Sequence, residues 1–194
     1  MIRAMTICVL VLMMPRAAAA EWHFTPMIGE TFLGRTTIVD LEAATGKHHR
    51  NLGGSVALLG SGIFGVEGLI VWTPGFFQTG DQDLIKKSRS LGVMGNVMVT
   101  APRRWTEYSL RPFVSGGFGL LNVSKTEVHE VLPTQVNVVG YNIGGGAIGF
   151  FSKRTGVRFD LRYYNNVNSP DSPAAFGPVQ LRYMTASVGV VIRR

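Results

Sequence analysis

The chain has 194 residues, enough for one domain, with 19 lysines and arginines against 12 acidic residues and a formal net charge of +7. Its only cysteine, Cys8, excludes a disulfide framework, and the chain beyond it has no thiolate chemistry. A basic surplus fits anionic partners, nucleic acid among them, and the first residues decide against nucleic acid.

Residues 1–20 read "MIRAMTICVLVLMMPRAAAA". Arg3 supplies a positive start, residues 6–14 are apolar, Pro15 ends the run, and Ala18 to Ala20 are small. This is the pattern of a secretory signal peptide, with cleavage expected before Glu21. The apolar run falls short of the roughly 20 residues that a spanning helix needs. Cys8 lies inside that run rather than at the cleavage point, so no lipid-anchored cysteine is expected. Removing the leader takes Arg3 and Arg16 from the 19 basic residues and leaves 17 against 12 acidic ones. On an exported chain that surplus reads as contact with anionic lipid headgroups or lipopolysaccharide, or as a scattered solvated excess. No nucleic-acid partner is expected. An exported domain without disulfides needs another source of stability, and closing a sheet into a barrel is one. Residues 21–194 read as that one domain.

From residue 21 on, no helical apolar stripe of useful length is found. Eight alternating runs appear instead, at residues 22–33, 51–60, 63–73, 90–101, 109–122, 140–151, 155–164 and 179–193. Short connections follow the second, fourth and sixth runs ("GSGI", "PRRWTE", "SKRT"), and longer ones follow the first, third, fifth and seventh. Short turns at one end and long loops at the other are the layout of an outer-membrane β-barrel. An even strand count puts both termini on the short-turn, periplasmic side. The long stretch after the fifth run, "SKTEVHEVLPTQVNVV", carries several valines and is expected to extend runs five and six into a surface hairpin able to hold a partner.

The seventh run decides which face is inside. In "GVRFDLRYY", Val157, Phe159, Leu161 and Tyr163 share one side, and Arg158, Asp160, Arg162 and Tyr164 share the other. The five lysines, Lys47, Lys86, Lys87, Lys125 and Lys153, all fall in expected loops or turns, so the strands lack the polar outer cover of a soluble barrel. Apolar residues such as Leu52, Val56, Val66, Ile70, Val93, Val97, Val114, Phe118 and Ile143 are assigned to lipid. The small and polar face, with Ser55, Asn96, Ser115, Asn142 and several glycines, is assigned to the narrow lumen. Glu67, Arg111, Arg158, Asp160 and Arg162 all share lumen parity and are expected to meet there as one charged network, since buried charges need partners. Aromatic belts are expected from Trp72, Phe76, Phe77, Tyr141, Tyr163 and Tyr164 at the long-loop ends. At the short-turn ends they are expected from Trp22, Trp105, Tyr108, Phe150 and Phe151.

Three segments, "LRPFVSGGFGLLNV" (110–123), "NIGGGAIGFF" (142–151) and "TGVRFDLRYY" (155–164), resemble the paired motifs of the outer-membrane β-barrel domain family, which includes the OmpA-like transmembrane domain and relatives of OmpW. The resemblance covers most of residues 21–194 and is sharpest from Leu110 onward. It implies a barrel inserted by the barrel assembly machinery, with a lumen plugged by charged networks and no catalytic residue. Barrels of that family usually end in an aromatic residue, whereas this chain ends "VVIRR" with Arg194 in that slot.

Other motifs weigh little. "GSGIFG" (60–65) and "GGGAIG" (144–149) match a dinucleotide pattern, but neither opens a helix, so tight turns and strand contacts explain them. "NVS" at Asn122 is a chance glycosylation match. His48 and His49 with Asp40 and Glu42 could hold a metal, yet adjacent histidines diverge in most backbones, so no metal site is assigned. His129 with Ser124 and Glu127 or Glu130 is the only group comparable to the serine–histidine–acid site of lipid A-modifying barrels.

The sequence therefore reads as an all-β protein: a signal peptide, then one closed, antiparallel, eight-stranded transmembrane β-barrel in the cell outer membrane. No periplasmic domain is expected after it. The expected role is non-enzymatic, in membrane structure or surface contact, with no cofactor. A narrow channel or transporter for small or apolar solutes is the alternative, and a lipid A-modifying enzyme is the third reading. Interior volume separates the first two.

Overall fold

The computed structural model describes residues 20–36, 48–60, 62–76, 85–102, 110–127, 134–167 and 181–194. They form eight strands: β1 (Glu21–Thr36), β2 (His49–Leu59), β3 (Phe64–Pro74), β4 (Ile85–Thr100), β5 (Arg111–Glu127), β6 (Thr134–Phe150), β7 (Thr155–Asn166) and β8 (Leu181–Arg193). Each pairs antiparallel with its neighbours in sequence, and β1 pairs with β8 to close the barrel. Closure leaves no exposed sheet edge. Both ends of the ring meet at the short-turn side, where Trp22 and Arg194 exchange backbone hydrogen bonds of 3.2 and 2.9 Å.

Period-two patterning makes the wall. Burial alternates residue by residue along β3, from exposed Phe64 to exposed Pro74. The outer face is apolar: Phe118 is 67% exposed, Val114 60%, Ile143 61% and Val97 56%. Proline is handled as its missing N–H requires. Pro26 stays opposite Gly54 of β2, while the β1–β8 ladder skips Thr25 and Pro26 between the pairs Phe24–Ile192 and Met27–Gly189. Pro112 is the second residue of β5.

Three expectations change. First, β4, β5 and β6 run past the apolar band at the long-loop end. Lys86, Lys87 and Lys125 therefore lie within strands rather than loops, and β5 and β6 stay paired out to Lys125–Thr134 as the valine-rich hairpin. The connection after β4, residues 101–110, is then as long as the one after β3, residues 75–84, so connection length alone does not mark the two ends. Second, Phe76 and Tyr164 are buried inside the barrel and leave the belt. Of the described residues, Trp72, Tyr141 and Tyr163 face outward at the long-loop end, and Trp22 and Phe151 at the other. Phe150 is half-buried and packs on the interior. Third, the interior is not only small and polar, because buried apolar clusters share it with the charges. Phe77, Trp105 and Tyr108, like residues 1–19 on which the expected signal peptide falls, lie outside the described residues.

Candidate functional site

The polar centre of the lumen is built by two strands that face each other across the barrel. β3 and β7 are four places apart in a ring of eight, so an inward side chain on one points at the other. Arg158, Asp160 and Arg162 occupy alternate positions of β7 and share its inner face. Asp160 lies between the two guanidiniums. Arg158 approaches its Oδ2 at 2.6 Å through Nη2 and 3.0 Å through Nε, and Arg162 Nε approaches its Oδ1 at 2.6 Å. Glu67 reaches over from β3: its Oε1 lies 2.6 Å from Arg158 Nη1 and its Oε2 2.7 Å from Arg162 Nη2. Two carboxylates thus neutralise two guanidiniums in one closed cycle. The four residues are all but inaccessible, Arg158 and Arg162 being 1% exposed.

Neutral side chains complete the cycle. Asn96 donates to Glu67 Oε2 at 3.1 Å, Asn142 donates to Asn96 Oδ1 at 2.7 Å, and Arg162 Nη1 donates to Asn142 Oδ1 at 3.2 Å. Arg158 Nη1 also donates to Ser55 Oγ at 3.2 Å. Glycine makes the room. A Cβ on Gly144 would stand 2.6 Å from Arg162 Cγ and 2.4 Å from the Leu161 carbonyl oxygen, and one on Gly117 would stand 2.5 Å from Asn96 Oδ1. This is the work of the glycines in "GGGAIG" and "SGGFG": they let a guanidinium and an amide lie flat against the neighbouring strand.

Arg111, expected in the same network, is placed differently. It is buried at the short-turn end, where Nε donates to the Ala101 carbonyl at 2.8 Å and Nη2 to Thr100 Oγ1 at 2.7 Å and the Gly62 carbonyl at 3.2 Å. An arginine so placed satisfies carbonyls left over where strands end. Phe113, two residues along the same face of β5, lies with its ring centroid 4.5 Å from Arg158 Cζ. The single five-residue network therefore divides into a four-residue ionic cycle and a separate rim arginine.

Apolar layers enclose the cycle from both ends. Toward the short turns lie Ala57, Leu59, Met98, Phe113, Ile148 and Val191. Toward the long loops lie Met27, Leu69, Val71, Met94, Leu121 and Val138, with Phe76, Tyr183 and Tyr164 above them. Tyr164 and Tyr183 stack at 4.8 Å, and Phe76 meets Tyr183 edge-on at 5.3 Å. Sequence reading misses these layers and the roles of Asn96 and Asn142. The available signal is the loss of alternation in "VMGNVMVT" and "FGLLNV", where both faces of a run are apolar.

The remaining candidates fall only partly on the described residues. His48 and His49 diverge: His48 is exposed, 3.2 Å from Glu30 Oε2, while the His49 ring lies 6.3 Å from inward-facing Phe76. Among the described residues no group of three His, Cys, Asp or Glu could hold a metal. Asp40, Glu42, His129 and Glu130 lie outside the described residues. Ser124 shares the outer face of β5 with Leu120 and Asn122.

No family model matches the chain, and no curated protein matches it by sequence. Solved structures do match its shape. Neisserial surface protein A superposes with a TM-score of 0.63 at 10% identity, over 90% of this chain and 98% of that one. OprG of Pseudomonas aeruginosa gives 0.57 at 10% identity, over 91% and 97%. Ail, the attachment invasion locus protein of Yersinia pestis, gives 0.56 at 12% identity, over 90% and 99%. The chain shares with these outer-membrane proteins the closed, antiparallel, eight-stranded β-barrel fold.

Proposed function

We propose that the protein is a non-enzymatic outer-membrane barrel, closed to solutes, that serves membrane structure and surface contact. The observation that carries this is the inversion of ordinary burial: an apolar wall faces out, and a neutral, fully paired ionic cycle lies within. A wall of that composition is stable in hydrocarbon and unstable in water. A lumen filled by a cycle between two apolar layers supports the closed reading over the narrow-channel alternative. Insertion falls to the barrel assembly machinery. Surface contact falls to the long-loop end, where the β5–β6 hairpin projects beyond the last apolar residues of the wall, Leu120 and Val139. On the outer face at that end Arg50, Arg89 and Arg182 are exposed. Guanidiniums there suit the phosphates of lipopolysaccharide.

Planar-bilayer recording tests the closed lumen. The purified protein, inserted with its heat-modifiable gel mobility intact, should pass no steady current. A large, stable conductance in the unmodified protein would overturn the plugged-barrel reading.

A further inference from the structure

At the short-turn rim a recess of about 620 Å³ is lined by Glu21, Lys153, Arg154, Ile192, Arg193 and Arg194. Its floor is fixed. Ser152 Oγ accepts from the N–H groups of Arg154 and Thr155 at 3.2 and 3.1 Å and holds the β6–β7 turn in shape. Arg193 clamps that turn to the end of β8: its Nε donates to the Lys153 carbonyl at 2.8 Å, its Nη2 donates to the same oxygen, and Nη1 lies 3.5 Å from Glu21 Oε2. Its guanidinium also lies 4.7 Å from the Phe150 ring centroid. Arg193 therefore neutralises Glu21, and the exposed side chains of Lys153, Arg154 and Arg194 give the recess a net positive charge. Beside it the wall turns apolar at once, with Ile192 and Trp22 exposed on the same rim. Trp22 is the backbone partner of Arg194.

We infer that this recess binds the phosphate headgroup of an anionic phospholipid in the leaflet on the short-turn side. The juxtaposition fits that ligand from both ends. Three cationic donors meet a phosphodiester at the interface, and the acyl chains lie along Ile192 and Trp22. The volume, roughly twenty waters' worth, accommodates a headgroup. The inference rests on the membrane placement proposed above and adds a leaflet-specific lipid site to it.

Headgroup-selective quenching tests it. With Trp72→Phe and Trp105→Phe in place, Trp22 reports on this rim alone. The barrel is refolded into phosphatidylcholine bilayers doped with brominated phosphatidylglycerol or brominated phosphatidylcholine, and relative affinity is read from quenching. A basic side chain beside an anionic headgroup is worth about five-fold, so phosphatidylglycerol should be preferred by about that factor or more. Lys153→Gln/Arg154→Gln/Arg194→Gln should abolish the preference. Lys153→Arg/Arg154→Lys, which keeps the charge, should retain it, and Arg50→Gln/Arg89→Gln at the opposite rim should leave it unchanged. Equal quenching by the two lipids, or a preference surviving in the triple variant, would overturn the headgroup assignment alone. No quenching by either lipid would overturn the membrane placement and this site with it.

Discussion

Glu67→Leu is the sharpest perturbation of the lumen. The Glu67 carboxylate is shared, one oxygen at 2.6 Å from Arg158 and the other at 2.7 Å from Arg162. Without it both guanidiniums face Asp160 alone, and one positive charge stays buried and uncompensated. Removing one partner of a buried pair costs about 3–5 kcal/mol. With a urea dependence of about 1–3 kcal/mol per molar, the unfolding midpoint should fall by roughly 2 M. Arg162→Met, which leaves one unbalanced negative charge, should do similar damage. The double variant restores neutrality, because the Arg158–Asp160 contacts of 2.6 and 3.0 Å survive. It should therefore be less destabilised than either single variant, and a double-mutant cycle should show coupling of at least about 2 kcal/mol. The assay is urea titration of the refolded barrel, followed by heat-modifiable mobility and tryptophan fluorescence. Losses that simply add, or a Glu67→Leu cost below about 1 kcal/mol, would refute the ionic cycle.

Val97, 56% exposed on the outer wall, should tolerate alanine, whereas Val97→Arg should cost about 2–4 kcal/mol near the bilayer midplane, measured by the same titration in lipid vesicles. Gly144→Ala should cost about 1–3 kcal/mol through overpacking against Arg162, while Gly68→Ala, whose added Cβ meets nothing within 4 Å, should be neutral. A reversed order would mean that the two faces are assigned the wrong way round. Residues 21–194 contain no cysteine, so single cysteines at Lys47 and Lys153 can be labelled with an impermeant reagent on intact cells. Lys47→Cys should react and Lys153→Cys should not, and equal labelling would sink the orientation.

Period two makes the wall legible in the amino-acid sequence. Phe159 and Leu161 are exposed, and Arg158, Asp160 and Arg162 are buried, as their parity requires. Parity also puts Tyr164 inside, although its position near a strand end suggests the belt. Parity does not give height along the barrel axis. Arg111 and Glu67 share the inner face, yet they sit at different levels, because height depends on the stagger accumulated over successive strand pairs. The same limit hides the contacts of Asn142, which crosses to Asn96 on a strand that is not its neighbour. The apolar layers are hidden for another reason. Met94, Met98 and Leu121 each follow an outward valine or leucine, and a stretch that is apolar on both faces carries no period to read.

The ionic cycle also bears on how the barrel closes. β3 and β7 are not paired, so the height of Glu67 relative to Arg158, Asp160 and Arg162 is fixed by the registers of the strand pairs that link them around both halves of the ring. A slip of one residue in any of them turns a whole strand inside out and sets Glu67 or the arginines on the apolar outer wall. A slip of two residues keeps the parity but moves Glu67 by about 7 Å along the strand, out of reach of one guanidinium. That arginine would then lie dry between the two apolar layers with its charge unbalanced. Either error leaves a buried charge exposed to the penalty that governs Glu67→Leu. Parity alone would not separate the two-residue slip from the native register, since every inward side chain stays inward. The charges make that slip costly, so the register that balances them is the one in which the sheet closes.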